Sequence, residues 1–396
     1  MAKHSLSAPP HPDVSPGLAQ PIVAGVLAAL VGFASSFAVV LQGFLAMGAT
    51  PGQAASGLTA LCLAQAGFGT WLSVKRRMPI VLAWSTPGSA LLAATGQPEG
   101  GFAVACGAFL VAGLLLLLAG LWKGFGRAVA SIPSSLANAM LAGVLLEICL
   151  APMRAVGAMP ALALPVVLVW AVTWRFARLY AVPAAVAVAA ALILLATPIP
   201  ALSHVAPHLE WVMPRPEIGA AIGIGVPLFI VTMASQNVPG LAVLHSQGYR
   251  PEPGPLFATT GIATAAIAPL GGHAVNLAAI TAALCASSDA HPDRKQRWIA
   301  SLSAALSYGV LGLCSAFAAA FIAASPPLLI TAVAGLALLG ALGAALTAAL
   351  ADERHRLAAT LTFATSASGL ALLGIGAAFW GLLAGALLMA LERVRR

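Results

Sequence analysis

Apolar stretches follow one another along almost the whole chain, separated by brief polar breaks. Fourteen can be marked, at roughly 21–46, 52–73, 78–96, 100–122, 125–150, 160–177, 181–196, 218–244, 256–268, 269–285, 298–324, 326–350, 357–372 and 374–391. Crossing a hydrocarbon core takes about 20 apolar helical residues, and several of these segments fall short of that. The short ones recur in order. Segment three corresponds to segment ten, segment five to twelve, and segments six and seven to thirteen and fourteen, at an offset of roughly 190–200 residues. The pattern predicts an all-α polytopic membrane protein with 14 transmembrane segments arranged as a 7+7 repeat. Seven is odd, so the second copy sits inverted. The longest connection, 197–217, carries His204, His208, Glu210 and five prolines, and links the halves.

Two of the short segments are interrupted by polar and glycine residues. Residues 269–284 read PLGGHAVNLAAITAAL, with Gly271, Gly272, His273 and Asn276 in an otherwise apolar run. From Ala274 to Cys285 the pattern predicts an apolar half-helix of about 18 Å, little more than half the membrane core. Residues 78–96 read MPIVLAWSTPGSALLAATG. There a short run at 80–82 leads into Ser85, Thr86, Pro87, Gly88 and Ser89, with Thr86 as the expected N-cap and Pro87 at the first helical position. Half-helices that begin inside the membrane point free N–H groups and a positive dipole end at whatever lies between them. A pair in corresponding places of two halves marks a transporter's binding site.

Composition agrees with the pattern. Of 396 residues, 60% are hydrophobic and 8% charged, which excludes a soluble domain of this length. The net charge of +8 reads as topology rather than as nucleic-acid binding. With the N-terminus inside, all of the 19 basic residues except Arg154 and Arg215 fall on the cytoplasmic side, as the positive-inside rule requires of an even number of spans. Both termini are expected on the cytoplasmic side. Residues 1–18 are polar and proline-rich and predict a disordered tail, not a cleaved signal. Cys62, Cys106, Cys149, Cys285 and Cys314 show no metal spacing and read as small buried hydrophobes. No Walker motif suggests ATP drive. Asp289 and Asp293 lie among His291, Arg294 and Lys295, as in a solvated loop. A Ser89–His273 pairing of intramembrane-protease type carries little weight beside a transporter's own polar half-helix tips.

Few side chains inside the apolar segments can carry chemistry. Glu147 is the one carboxylate there, a functional candidate or an interfacial partner of Arg154. His273 is the one histidine, either facing a cavity and titrating near neutral pH or bonded to local backbone. Ser235, Gln236 and Asn237 precede Pro239 and Gly240 in segment eight and predict polar side chains turned inward at a kink. In segment one, Ser35, Ser36 and Gln42 are polar, while Phe33 and Phe37 share a face. They form core packing or an aromatic lining, as does Trp84.

The stretches ASQNVPGLAVL (234–244), GGHAVNLAAITAAL (271–284) and STPGSALLAATG (85–96) resemble the BenE family of benzoate/proton symporters, over essentially the whole chain. More distantly the layout is similar to nucleobase symporters of the UraA type and to sulfate permeases. The resemblance implies segments 3 and 10 each built of a short strand plus a half-helix. It also implies a core domain at 19–123 and 218–324 and a gate domain at 124–200 and 325–396, with 201–217 as the inter-repeat linker. Gln236 stands where nucleobase symporters carry a carboxylate, which suits an anionic substrate. The expected function is import of benzoate or a related aromatic carboxylate with a proton. The alternatives are a nucleobase or small-anion carrier on the same fold, a channel-like uniporter or an intramembrane enzyme. Substrate would meet Thr86, Gly88, Ser89, Gln236, Asn237, Gly271, Gly272, His273 and Asn276, with Phe33, Phe37 or Trp84 over the ring. His273 or Glu147 would couple the proton. No metal or cofactor is implied, and one chain holds the whole repeat, as a monomer or within a homodimer.

Overall fold

The ends of the apolar segments are set by local chemistry. Thr50 and Gln53 form a reciprocal capping box and Pro51 takes the first position of the helix behind them, so chain direction is fixed before the span begins. In this computed structural model, residues 17–124, 133–196, 208–372 and 375–394 are described. The tail expected at 1–18 lies outside them apart from Gly17 and Leu18. So do 125–132 of the fifth apolar segment and 197–207 of the link.

The helices are α1 (Ala19–Ala46), α2 (Pro51–Arg76), α3 (Thr86–Thr95), α4 (Phe102–Leu121), α5 (Ser134–Ala158), α6 (Pro160–Phe176), α7 (Ala181–Ala196), α8 (Ile218–Ser246), α9 (Pro253–Ile267), α10 (Ile280–Ala286), α11 (Trp298–Gly312), α12 (Ser315–Ala324), α13 (Pro327–Leu350), α14 (Arg356–Ala367) and α15 (Ala377–Val394). Among the described residues, α1, α2, α4, α5, α8 and α13 are each long and apolar enough to cross a membrane. The pair α11–α12, bent by 56°, passes the same test when its two helices are taken together. The chain is a mostly helical, multi-pass membrane protein. The remaining apolar segments hold shorter helices or strand–helix units. One cysteine departs from expectation: Cys314, at the α11–α12 bend, is exposed, while the other four are buried.

Two strands, β1 (Leu82–Trp84) and β2 (Val275–Leu277), pair antiparallel, with Ala83 opposite Asn276. Each leads into a half-helix, β1 into α3 and β2 into α10. The apolar helix expected from Ala274 to Cys285 is therefore corrected: its first part is strand, and the helix begins only at Ile280. The backbone donors explain this. The Val275 N–H donates to Thr264 Oγ1 at 2.9 Å and the Leu277 N–H to Asn237 Oδ1 at 2.8 Å. The pairing with β1 serves the other edge, so a buried extended chain is satisfied without a helix. The N-cap of α3 also shifts by one residue. Ser85, not Thr86, accepts the Gly88 N–H, at 3.1 Å.

The other spans pack around this ladder. α4 lies on α9, α11 lies on α1 and α2, and α5 packs on α13 and α14. α1 also reaches α13, and α3 reaches α5. α3 comes so close to α1 that a Cβ on Gly43 would stand 2.7 Å from the Ser89 carbonyl oxygen, so only glycine permits the contact. In α8, residues Met233–Asn237 form a π-turn just before Pro239, which has no N–H to continue the ladder.

Candidate functional site

β1–α3 and β2–α10 bring their helix starts together beside a cavity of about 420 Å³, within the range of small-molecule sites. One wall comes from α1, β1–α3, the π-turn of α8, the start of α10, and α11. The other comes from α6, α7 and α13. The surface is mostly apolar, with Ser35, Ser36, Thr86, Gln236 and Thr281 as polar points. Trp84 and Tyr308 supply aromatic faces. Trp84 is held by its Nε1–H, which donates to Ser36 Oγ at 2.9 Å, and by edge contacts with Phe33 at 5.7 Å and Tyr308 at 5.5 Å between centroids. A donor-anchored indole is a fixed wall, not a mobile lid.

Electrostatics favour an anion. Arg178, in the 3₁₀ turn Arg178–Tyr180 after α6, is the only charged side chain among the lining residues, and no carboxylate lines the cavity. Its guanidinium lies 5.4 Å from the ring of Trp174, which also lines the wall. It has no hydrogen-bond or ion-pair partner among the described residues. On the other wall, Thr86 is the first residue of α3. Pro87 has no N–H and Gly88 is already capped by Ser85, so Thr86 presents the free donor of this positive helix end.

The expected site residues divide. Trp84, Thr86 and Gln236 line the cavity, whereas Phe33, Phe37, Gly88, Ser89, Asn237, Gly271, Gly272, His273 and Asn276 do not. Phe33 and Phe37 stack on each other at 5.4 Å behind Trp84. The π-turn separates neighbours: Gln236 faces the cavity, while Asn237 is fully buried with its oxygen on the β2 backbone. Asn276 lies in β2. With its amide in the hydrogen-bonded orientation it accepts from the Ser85 N–H and donates to the Leu277 carbonyl, each at 3.0 Å. Gly271 takes φ +83° to end the turn after α9.

His273 is buried between Phe44 and Phe109. Its Nε2 is 2.7 Å from Ser89 Oγ and its Nδ1 3.2 Å from the Ala274 carbonyl oxygen. Ser89 Oγ can also donate to the Ser85 carbonyl, at 3.1 Å. Glu147 lies away from the cavity, 3.7 Å from Arg154, with both side chains more than half exposed. Tyr308, Trp174 and Arg178 were not singled out from the sequence. The available signal was the four-residue spacing of Trp174 and Arg178 at the end of an apolar segment, which topology alone accounted for.

The model of the family described as BenE, benzoate membrane transport protein, matches residues 17–391. The chain is 40% identical to "Inner membrane protein YdcO" of Escherichia coli over 366 residues, 92% of this chain and 93% of that protein. It is 29% identical to "Benzoate membrane transport protein" of Acinetobacter baylyi over 368 residues, again 92% and 93%. Among solved structures it is similar to the transmembrane domain of the cyanobacterial bicarbonate transporter BicA. That likeness has a TM-score of 0.60 at 16% identity and covers 93% of this chain and 97% of that one. It is also similar to SLC26A9, with a TM-score of 0.65 at 13% identity, covering 96% and 66%.

Proposed function

Because the chain belongs to the BenE family of benzoate membrane transport proteins, and so is a secondary transporter and not an enzyme, we propose that it imports benzoate or a close aromatic carboxylate together with a proton across a bacterial inner membrane. The observation that carries the substrate class is Arg178, the lone charge in an otherwise apolar, aromatic-walled cavity without a carboxylate. The ring lies against Trp84 and Tyr308. The carboxylate takes hydrogen bonds from the Thr86 N–H and Gln236, with Arg178 as counter-charge.

The two walls of the cavity suggest its motion. One is drawn from the elements of the proposed core (19–123 and 218–324), the other from the proposed gate (124–200 and 325–396). In a fourteen-segment inverted repeat with both termini cytoplasmic, core and gate rock around the bound anion. Arg178 then lies toward the cytoplasm.

Proton coupling falls to His273, whose network serves both protonation states. Neutral, Nδ1–H donates to the Ala274 carbonyl while Nε2 accepts from Ser89. Protonated, Nε2–H donates to Ser89, which turns its hydroxyl to the Ser85 carbonyl. Ser85 caps α3, so the proton is felt at the helix start that holds the anion. Glu147 has the weaker claim because Arg154 occupies it.

Equilibrium binding to the purified protein tests the substrate class. Benzoate should bind saturably and be displaced by ring-substituted benzoates, but not by uracil or sulfate. Tighter binding of uracil or sulfate would overturn the assignment.

A further inference from the structure

A second recess, of about 560 Å³, lies at the end of the molecule where α2 meets the loop between α10 and α11. Arg76, Arg77, Arg294 and Lys295 converge on it beside Tyr249. Arg294 shares a side-chain hydrogen bond with Tyr249, whereas Arg76, Arg77 and Lys295 have no hydrogen-bond or ion-pair partner for their side chains among the described residues, and the Arg76 Nε–H is buried without an acceptor. The one carboxylate in the recess, Asp293, accepts the Lys295 backbone N–H at 2.8 Å.

Topology alone accounts for basic residues at this end but not for how these are held. Arg77 lies 4.3 Å over the Trp298 ring and Arg294 5.0 Å over Tyr249, which fixes the guanidinium planes and leaves most of their donors available to a ligand. Arg77 is the one non-glycine at positive φ among the described residues, at 50°. Glycine is the usual choice there, and an outlier of this kind points to a use for the side chain. Gly248 leaves room for Arg294, since a Cβ there would collide with that guanidinium. Buried Arg297 donates to the carbonyls of Ala286 and His291, each at 2.7 Å, and so stiffens the loop that carries Arg294 and Lys295.

We propose that this recess binds a phosphate group, taken either from an anionic phospholipid headgroup or from phosphate in solution. Planar guanidinium forks match phosphate oxygens two at a time. The ligand would tie the end of α2 to the α10–α11 loop, only a few residues before β1 and α3, and so steady the half-helix scaffold.

The test uses the full chain in nanodiscs of phosphatidylcholine, with two arms: replacement of part of the lipid by phosphatidylglycerol, or addition of inorganic phosphate. Hydrogen exchange on the unmodified protein should slow at 76–80 and 290–297 in one arm or both. The phosphatidylglycerol arm alone indicates a lipid source, and the phosphate arm a soluble one. Arg77→Gln with Arg294→Gln should weaken the response at least about tenfold, while Arg354→Gln, a basic residue outside the recess, leaves it intact. No slowing in either arm, or equal loss in the Arg354→Gln control, would overturn the proposal.

Discussion

At Arg178 the wall of the cavity changes character, from alkyl and aromatic surface to a guanidinium that, among the described residues, rests against Trp174 alone. Arg178→Gln should raise KM for benzoate roughly tenfold to a hundredfold, the range for losing a charged hydrogen bond. Arg178→Lys should recover part of that loss, because the charge stays and the bidentate fork does not. Equal uptake kinetics in all three proteins would remove Arg178 from the site. His273 makes a separate prediction. His273→Gln should flatten the rise of both uptake and benzoate binding with acidification, because coupled sites affect each other reciprocally, and Glu147→Gln should do neither. An unchanged pH profile in His273→Gln would rule out its role. Trp84, Thr86 and Gln236 could be read from the sequence because polar or aromatic residues at a break in an apolar segment have few other uses. Tyr308 and Arg178 could not. One looks like ordinary helix filling, and the other like a topogenic charge, until the fold brings α6 and α11 to the same cavity.

The two strand–half-helix units are the elements on which the cavity depends. Their backbones are satisfied by side chains from other spans, chiefly Asn237 and Thr264 on β2 and Asn276 on Ser85. Asn237→Leu leaves the Leu277 N–H without a partner inside the protein, at a cost of about 1–3 kcal/mol. Thermal unfolding in detergent should fall by several degrees, with KM changed less than in Arg178→Gln. A stability equal to the parent's would show that the bond contributes nothing. Apolarity and glycine breaks located both units. They could not divide strand from helix between Ala274 and Ile280, because alanine, valine and leucine suit either form in a buried setting. The division came from donors and acceptors on α8 and α9, far away in sequence.

At the scale of the whole molecule, one side-chain hydrogen bond among the described residues joins the two walls. The Gln42 side-chain amide on α1 donates to Thr331 Oγ1 on α13 at 2.8 Å. If core and gate rock past each other, this bond belongs to one state and must break in the other. Gln42→Leu should therefore depopulate the state described here by up to about fivefold, for a bond worth about 1 kcal/mol. A cysteine at Ala341, on the cavity wall, reports this in a background free of native cysteines. Its labelling by an impermeant thiol reagent from the Arg178 side should slow in Gln42→Leu, and an unchanged rate would argue against the contact as a latch. The repeat of short segments pointed in advance to the two strand–half-helix units, which the structure pairs through β1 and β2. Which helices meet across the cavity was not legible, since apolar faces of similar composition pack equally well on paper.

In the proposed symport, inward proton movement drives an aromatic anion uphill. An inside-negative potential opposes benzoate entry by about 2.3 kcal/mol per 100 mV, and one co-transported proton cancels that term and adds the pH gradient. The most direct measurement is accumulation of labelled benzoate in proteoliposomes under an imposed pH gradient, acidic outside, with protein-free liposomes as the control for passive entry of the neutral acid. Saturable accumulation above that control, collapsing with a protonophore and weakened in Arg178→Gln, is the predicted result. Protein-dependent uptake that only equilibrates benzoate down its own gradient, indifferent to the imposed pH difference, would contradict it.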